Sequence, residues 1–245
     1  VLVNVLTRTG LWPGGEEFAR DLRALFPQIV GVVRTASDRR SLAAGGKVTT
    51  LQGRPYLLER LSGLELEVGV GSFLQVNTLG AERLYEVVLE SLAAGAESRL
   101  LDLYCGVGSI PLLAGRALRS VLGVESDRDS VRRADRNARR NGARNVHFER
   151  SDARRSLAKI LASGRQFDRV VVNPPRAGLH PTLVQRLLRL APRRIVYVSC
   201  QPPTLARDLA LFAEGGYRVE SVRPVDLFPN TPHVEAVALL TREGG

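Results

Sequence analysis

Residues 100–109, Leu100-Leu-Asp-Leu-Tyr-Cys-Gly-Val-Gly-Ser109, decide how the chain folds. Arg99–Leu103 reads as a buried strand. Gly106 and Gly108 end it in a turn where the backbone can approach a ligand closely. It is not a full dinucleotide fingerprint, because Pro111 and Leu112 follow where a third glycine would stand, and it lacks the Gly-Lys-Ser/Thr of a phosphate loop. A helical stretch at 109–117 comes next, and the pattern then repeats. Strand candidates Ser120–Val124, Val146–Glu149, Phe167–Val172 and Arg194–Ser199 alternate with helical stretches at 128–141, 154–162 and 181–191. Such alternation predicts an α/β fold: a mostly parallel sheet, helices on both faces, and a ligand crevice at the carboxyl ends of the strands. A helix at 204–213 and strands at Tyr217–Val222 and Val234–Leu240 complete it.

Upstream, Gly71-Ser-Phe-Leu-Gln-Val-Asn77 leads into a helical stretch, Leu79–Ala93, and opens the unit that runs to residue 245. Residues 1–70 read as a smaller α+β piece. It comprises a strand at Val1–Thr7, an amphipathic helix at Gly15–Phe26 and a strand at Gln28–Arg34. A polar loop, Ser37–Gly46, precedes short strands at Lys47–Leu51, Pro55–Arg60 and Leu64–Val68.

The 245 residues suffice for a sizeable core, and 44% hydrophobic with 24% charged residues is the balance of a globular protein. No apolar run approaches the roughly 20 residues of a membrane span, and no signal-peptide layout precedes the first strand. Beginning at Val1 and holding no Met, the chain reads as a fragment or a processed form. Cys105 and Cys200, the two cysteines, lie far apart without paired spacing; a reducing, cytoplasmic setting is expected, with no metal and no iron–sulfur cluster. A net charge of +10 suits a polyanionic partner. All but two of the basic residues are Arg, however, so genome composition accounts for part of that charge.

Cys200 stands where the run Ile195–Val198 gives way to Pro202, Pro203 and a helix for which Thr204 is a candidate cap. Alone it reads as a small core residue. A helix N-terminus at the ligand edge of a sheet, with Arg207 as a second cation, would instead favour a thiolate. Two acids stand at neighbouring strand ends. Glu125 is placed to hold both hydroxyls of a ribose, and Asp152 to accept from an adenine amino group. Acceptors at successive strand ends, with no pyrophosphate cradle, suit S-adenosylmethionine.

Residues 71–245 resemble the catalytic domain of the RNA 5-methyluridine methyltransferases. The resemblance rests on Phe73-Leu-Gln-Val-Asn77, Leu101-Asp-Leu-Tyr-Cys-Gly-Val-Gly108 and Asn173-Pro-Pro-Arg-Ala-Gly178. Val198-Ser-Cys-Gln-Pro-Pro-Thr-Leu-Ala-Arg-Asp208 and Asp226-Leu-Phe-Pro-Asn-Thr-Pro-His-Val-Glu235 follow in the family's order. Residues 1–70 resemble, more weakly, the tail of that family's central domain. The resemblance implies a Rossmann-like class I fold and methylation of uridine carbon 5 through a covalent adduct. It assigns Cys200 as the nucleophile that adds to carbon 6 and Glu235 as the acceptor of the carbon 5 proton. It also implies a cofactor site lined by Gln75, Tyr104, Glu125, Asp152 and Asn173 around Gly106 and Gly108. Ribosomal RNA is expected ahead of transfer RNA as the partner, with no membrane and no obligate protein partner.

Asn173 departs from the Asp usual in the family, and Gln201-Pro-Pro203 from Asn-Pro-Ala. Asn-Pro-Pro is a mark of exocyclic-amine methyltransferases, which is one alternative; there Arg176 would replace the expected aromatic, and Cys200 and Glu235 would be idle. A non-catalytic RNA-binding module is the other. Helix 128–141 carries Arg132, Arg136 and Arg140 at i, i+4 spacing, either as a solvated face or as a phosphate contact.

Overall fold

The structure is a computed structural model that describes residues 1–38 and 46–242. The elements run β1 (Leu2–Thr7), α1 (Gly15–Leu25), β2 (Gly31–Ala36), β3 (Lys47–Gly53), β4 (Tyr56–Leu61), β5 (Leu64–Gly69) and α2 (Thr78–Leu92). β6 (Arg99–Leu103), α3 (Ser109–Gly115), β7 (Ser120–Glu125), α4 (Arg128–Arg140), β8 (Val146–Arg150) and α5 (Ala153–Ala162) follow. The chain continues through β9 (Arg169–Val172), α6 (Pro181–Leu190), β10 (Arg194–Ser199), α7 (Pro202–Glu214), β11 (Tyr217–Val225) and β12 (Glu235–Arg242). Most of the loop expected at Ser37–Gly46 lies outside the described residues.

β1, β2 and β3 form a small sheet, and β4 with β5 a two-stranded hairpin. The large sheet has seven strands in the order β11-β12-β10-β9-β6-β7-β8. β10, β9, β6, β7 and β8 are parallel to one another. β12 runs antiparallel between β10 and β11. The chain winds outward from β6 to β8 and then restarts on the other side of β6 with β9. The β6–β9 boundary is therefore the switch point, where an open α/β sheet leaves a ligand crevice.

Pleat alternation divides the core into two layers. Leu100 points into a cluster that holds Leu84, Val88 and Leu92 of α2, Leu112 and Leu113 of α3, and Ala138 of α4. Leu101 and Leu103 point the other way, towards Leu157 of α5, Leu183 and Leu187 of α6, and Leu205 and Phe212 of α7. Leu61, Leu64 and Leu66 bring the β4–β5 hairpin into the first cluster. The hairpin is also tied to α4, whose Asn137 is fully buried and whose Oδ1 accepts from the Glu67 amide at 2.6 Å.

Helix α7 begins two residues before the expected position. Pro202 and Pro203 occupy its first turn, with Gln201 as a cap that makes no side-chain bond. Proline suits that place because its fixed φ is already helical and the missing N–H had no partner to lose. Thr204 is consequently inside the helix rather than its cap.

Candidate active site

β10 and β12 pair from Arg194↔Thr241 to Ser199↔Ala236. Continuing that register by one residue sets Cys200 opposite Glu235 at the carboxyl end of β10. Directly opposed residues on antiparallel strands share a face. Cys200 is half-buried, follows Ser199 and precedes the first turn of α7. The field of that helix favours negative charge beside it, although Pro202 and Pro203 remove two of the N–H donors a helix start normally offers. Arg207 does not serve Cys200: its guanidinium is bonded to Asp208 and to the carbonyls of Ala177 and Leu179.

Glu235 is only 5% exposed. Burial pushes its carboxyl above the usual glutamate range, and a hydrogen bond from the Gln75 side chain pulls it partly back. Gln75 is itself buried, while Phe73, Val76 and Leu79 around it are exposed. Asn77 caps α2 by accepting from the Gly80 amide at 3.0 Å, and its Nδ2 donates to the Leu227 carbonyl at 3.0 Å. The Gln75 and Asn77 bonds together tie the 73–77 segment to the 226–235 segment. His233, which could have oriented Glu235, is exposed and packs edge-on against Phe228. His180 caps α6, its Nδ1 accepting from the Thr182 amide at 3.2 Å.

Two strands away from β10 lies the glycine turn. Tyr104 and Cys105 donate their amides to the Val124 carbonyl at 2.9 and 3.1 Å, which holds the turn against β7. Gly108 has φ 90°, and a Cβ there would come within 2.6 Å of the Phe148 ring, so only glycine fits. Glu125, ending β7, accepts from the Gly106 amide at 3.2 Å on one oxygen and from the Ser126 and Asp127 amides at 2.6 and 2.9 Å on the other. Asp152 caps α5 through Oδ1, which receives the Arg154 and Arg155 amides at 3.0 and 3.3 Å. Asn173, at the end of β9, is half-buried, and its amide donates to the Leu103 carbonyl at 3.3 Å. Tyr104, Gly106, Gly108, Glu125, Asp152 and Asn173 therefore line the carboxyl ends of β6, β7, β8 and β9. Gln75 stands with Glu235. Cys105 is buried beneath the turn, and burial raises its thiol well above the usual range.

Asp102 was not singled out from the sequence. It is 1% exposed on β6, and neither carboxylate oxygen has a hydrogen-bond partner. Desolvation, with Glu125 nearby, raises its carboxyl well above the usual range. Tyr85 of α2 lies within the field of both Asp102 and Glu235, and burial pushes its phenol up to about 12. The available signal was a lone acid in a strand otherwise buried on both faces. An unpartnered buried carboxylate calls for a cation or donor from outside the chain, and the ammonium of an amino-acid moiety fits that need.

The basic helix divides into two sets. Arg136 and Arg140 are paired with Glu67 and Glu65 of the hairpin and Arg133 lies 4.0 Å from Glu67, so they hold the helix to the hairpin, while Arg133 also pairs with Asp129 within the helix. Arg132 is exposed. Among the described residues, no group of three or more His, Cys, Asp or Glu is arranged to hold a metal ion. Among the same residues, no helix is long and apolar enough to cross a membrane.

A family model described as tRNA (Uracil-5-)-methyltransferase matches residues 64–243. The chain belongs to that family. A protein of Nitratidesulfovibrio vulgaris described as an uncharacterized RNA methyltransferase is 41% identical over 239 residues, covering 94% of this chain and 51% of its own length. One from Oceanobacillus iheyensis, similarly described, is 35% identical, covering 98% of this chain and 53% of itself. This chain thus spans about half the length of the curated relatives it matches. Among solved structures, the Pyrococcus abyssi tRNA (uracil-54, C5)-methyltransferase in complex with S-adenosyl-L-homocysteine superposes with a TM-score of 0.79 at 32% identity. That match covers 98% of this chain and 56% of the other. The Trm5b structure from the same organism, at 14% identity and a TM-score of 0.63, shares the fold.

These matches correct the expectation of ribosomal RNA: the family model and the archaeal structure are both described by transfer RNA. Nothing in the charge could have decided between the two, because phosphate affinity is independent of sequence and carries no information on which RNA is bound.

Proposed function

We propose that this uracil-5-methyltransferase family member methylates carbon 5 of a uridine in transfer RNA, with S-adenosylmethionine as the methyl donor. The observation that carries the reading is the β10–β12 register, which extended by one pair sets Cys200 opposite Glu235, on the same sheet edge as Glu125, Asp152 and Asn173. The donor supplies an electrophilic methyl group on a sulfonium. Glu125 would hold its ribose, Asp152 its adenine, and Asp102 its ammonium.

The chain's own residues supply the remaining chemistry. Carbon 5 of uracil is a weak nucleophile. The Cys200 thiolate adds to carbon 6, and the ring electrons move to carbon 5 and the carbonyl oxygen. Once carbon 5 carries the methyl, Glu235 takes the proton from that carbon and elimination frees the thiolate. Burial raises the basicity of Glu235, which suits that task, and Gln75 orients the carboxylate. In this reading residues 1–70 belong to a central domain and 71–245 to the methyltransferase domain. A cytoplasmic location accords with the substrate and with two free cysteines.

The test is incubation with transfer RNA containing 5-fluorouridine, from which carbon 5 cannot be deprotonated. Wild-type protein should form a cofactor-dependent covalent complex that Cys200→Ala lacks. A Cys200→Ala protein that still methylates at the wild-type rate, or a methyl found on an exocyclic amine, overturns the proposal.

A further inference from the structure

Two segments have to be aligned for this reaction: the loop that leaves Asn173 on the cofactor side, and the start of α7 behind Cys200. A single buried carboxylate joins them. Asp208, fully buried on α7, accepts on Oδ2 from the Leu179 amide and from the Tyr197 hydroxyl, each at 2.7 Å. Its Oδ1 accepts from Arg207, at 2.9 Å from Nε and 2.7 Å from Nη2. The three partners come from three places: the loop after β9, the strand that delivers Cys200, and the helix that follows it.

The loop is moulded onto this ion pair. Arg207 Nη2 also donates to the carbonyls of Ala177 at 3.0 Å and Leu179 at 3.4 Å. Gly178 has φ 76°, and a Cβ there would lie 2.6 Å from both Arg207 Nη2 and Asp208 Oδ2. One turn earlier on α7, the Thr204 hydroxyl donates to the Arg176 carbonyl at 3.1 Å. Backbone from residue 176 to residue 179 is thus fastened to one face of α7 at three successive points. A buried carboxylate with its donors satisfied fixes geometry, and removal of its charge leaves the Arg207 guanidinium without its counter-ion.

We propose that Asp208, with Arg207 and Thr204, is a positioning residue that locks the cofactor-side loop 173–179 to the nucleophile helix, setting the distance between the Cys200-bound uracil and the methyl donor. It touches no reacting atom. The inference rests on the assignment of Cys200 and Asn173 given above.

The test compares Asp208→Asn and Thr204→Val with wild type by thermal melting, calorimetry with S-adenosylhomocysteine, and adduct formation on 5-fluorouridine transfer RNA. Asp208→Asn is expected to bind S-adenosylhomocysteine with wild-type stoichiometry and to form adduct, per cofactor-binding site, about tenfold or more slowly, as a misplacement of about 1 Å requires. Normalisation to binding sites removes any loss of folded protein, so a structural role alone would leave the per-site rate unchanged. A wild-type per-site rate overturns the proposal. Should Asp208→Asn fail to fold, Thr204→Val decides, since it keeps the side-chain shape and loses only the hydroxyl's bonds to the Arg176 and Gln201 carbonyls; a wild-type rate in that variant overturns the proposal equally. Cys200→Ala, run alongside, separates the two ideas. Normal methylation by that variant sinks the reaction assignment itself, whereas a slow Asp208→Asn with a dead Cys200→Ala supports both.

Discussion

Extended by one residue past its last pair, Ser199↔Ala236, the β10–β12 register sets Cys200 opposite Glu235, 35 positions further along the chain. Antiparallel insertion of β12 beside β10 produces this meeting, because a parallel strand would have carried its first residue to the far end of the sheet. Replacing Glu235 by Gln keeps the shape and the bond to Gln75 but removes the base. The expected result is that methyl transfer still occurs and the RNA stays covalently attached, seen as a methylated adduct resistant to denaturation. Free methylated RNA released at the wild-type rate would exclude Glu235 as the base.

The Gln75–Glu235 hydrogen bond gives a pH dependence with a definite sign. Burial raises the Glu235 carboxyl, and Gln75 opposes that shift by stabilising the charged form. The base acts ionised, so the acid limb of product release should lie above the ordinary glutamate range. Gln75→Leu removes the opposing bond and should move that limb to still higher pH. The check is the pH dependence of single-turnover release. A limb that stays in place, or moves to lower pH, contradicts the assignment.

The order of strands and helices from β6 to β10 was legible because β6, β7, β9 and β10 are largely apolar runs and the helices between them have clear starts, as Arg99–Leu103 and Asp127 before α4 show. The acids at strand ends were legible for the same reason: Glu125 falls where an apolar run stops, and Asp152 where α5 starts. Partnerships made across the fold were not. No spacing in the sequence announces that Gln75 meets Glu235, that Asp208 receives Leu179 and Tyr197, or that Arg207 is bonded to Asp208. The start of α7 was misplaced because Thr204 resembled a cap, whereas proline at the first helical positions overrode that signal.

Glu67 supplies a stability prediction. Its side chain and that of Arg133 are each 6% exposed, and Arg140 and Arg136 reach the same carboxylate at 2.9 and 3.4 Å. Arg133 also lies over the Tyr56 ring at 5.8 Å. Glu67→Ala removes the carboxylate that Arg136 and Arg140 share, while Arg133 keeps Asp129 at 2.7 Å; losing hydrogen bonds to a charged group costs about 1.5–3 kcal/mol. Urea unfolding should show that loss. Arg132→Ala, on the exposed side of the same helix, should stay within about 0.5 kcal/mol of wild type, as surface substitutions do. Equal effects of the two substitutions would mean that the ion pairs do not fasten the hairpin to α4.

Asp102 yields the prediction with the least ambiguous sign. Its folded-state carboxyl is raised by desolvation, so between the ordinary aspartate range and that raised value the native state holds a proton that the unfolded chain has lost. Stability contributed by this group is therefore fully present at low pH and declines as pH rises through that window. Asp102→Asn removes the dependence while keeping the volume. Without cofactor, the variant and wild type should have similar stability below about pH 3, where the side chain is largely neutral in both states, and the variant should become progressively the more stable towards pH 8. Denaturant titrations across that range measure the difference directly. Two curves that stay parallel would show that the Asp102 carboxylate is satisfied in the folded protein, and the case for an ammonium held there would go with it.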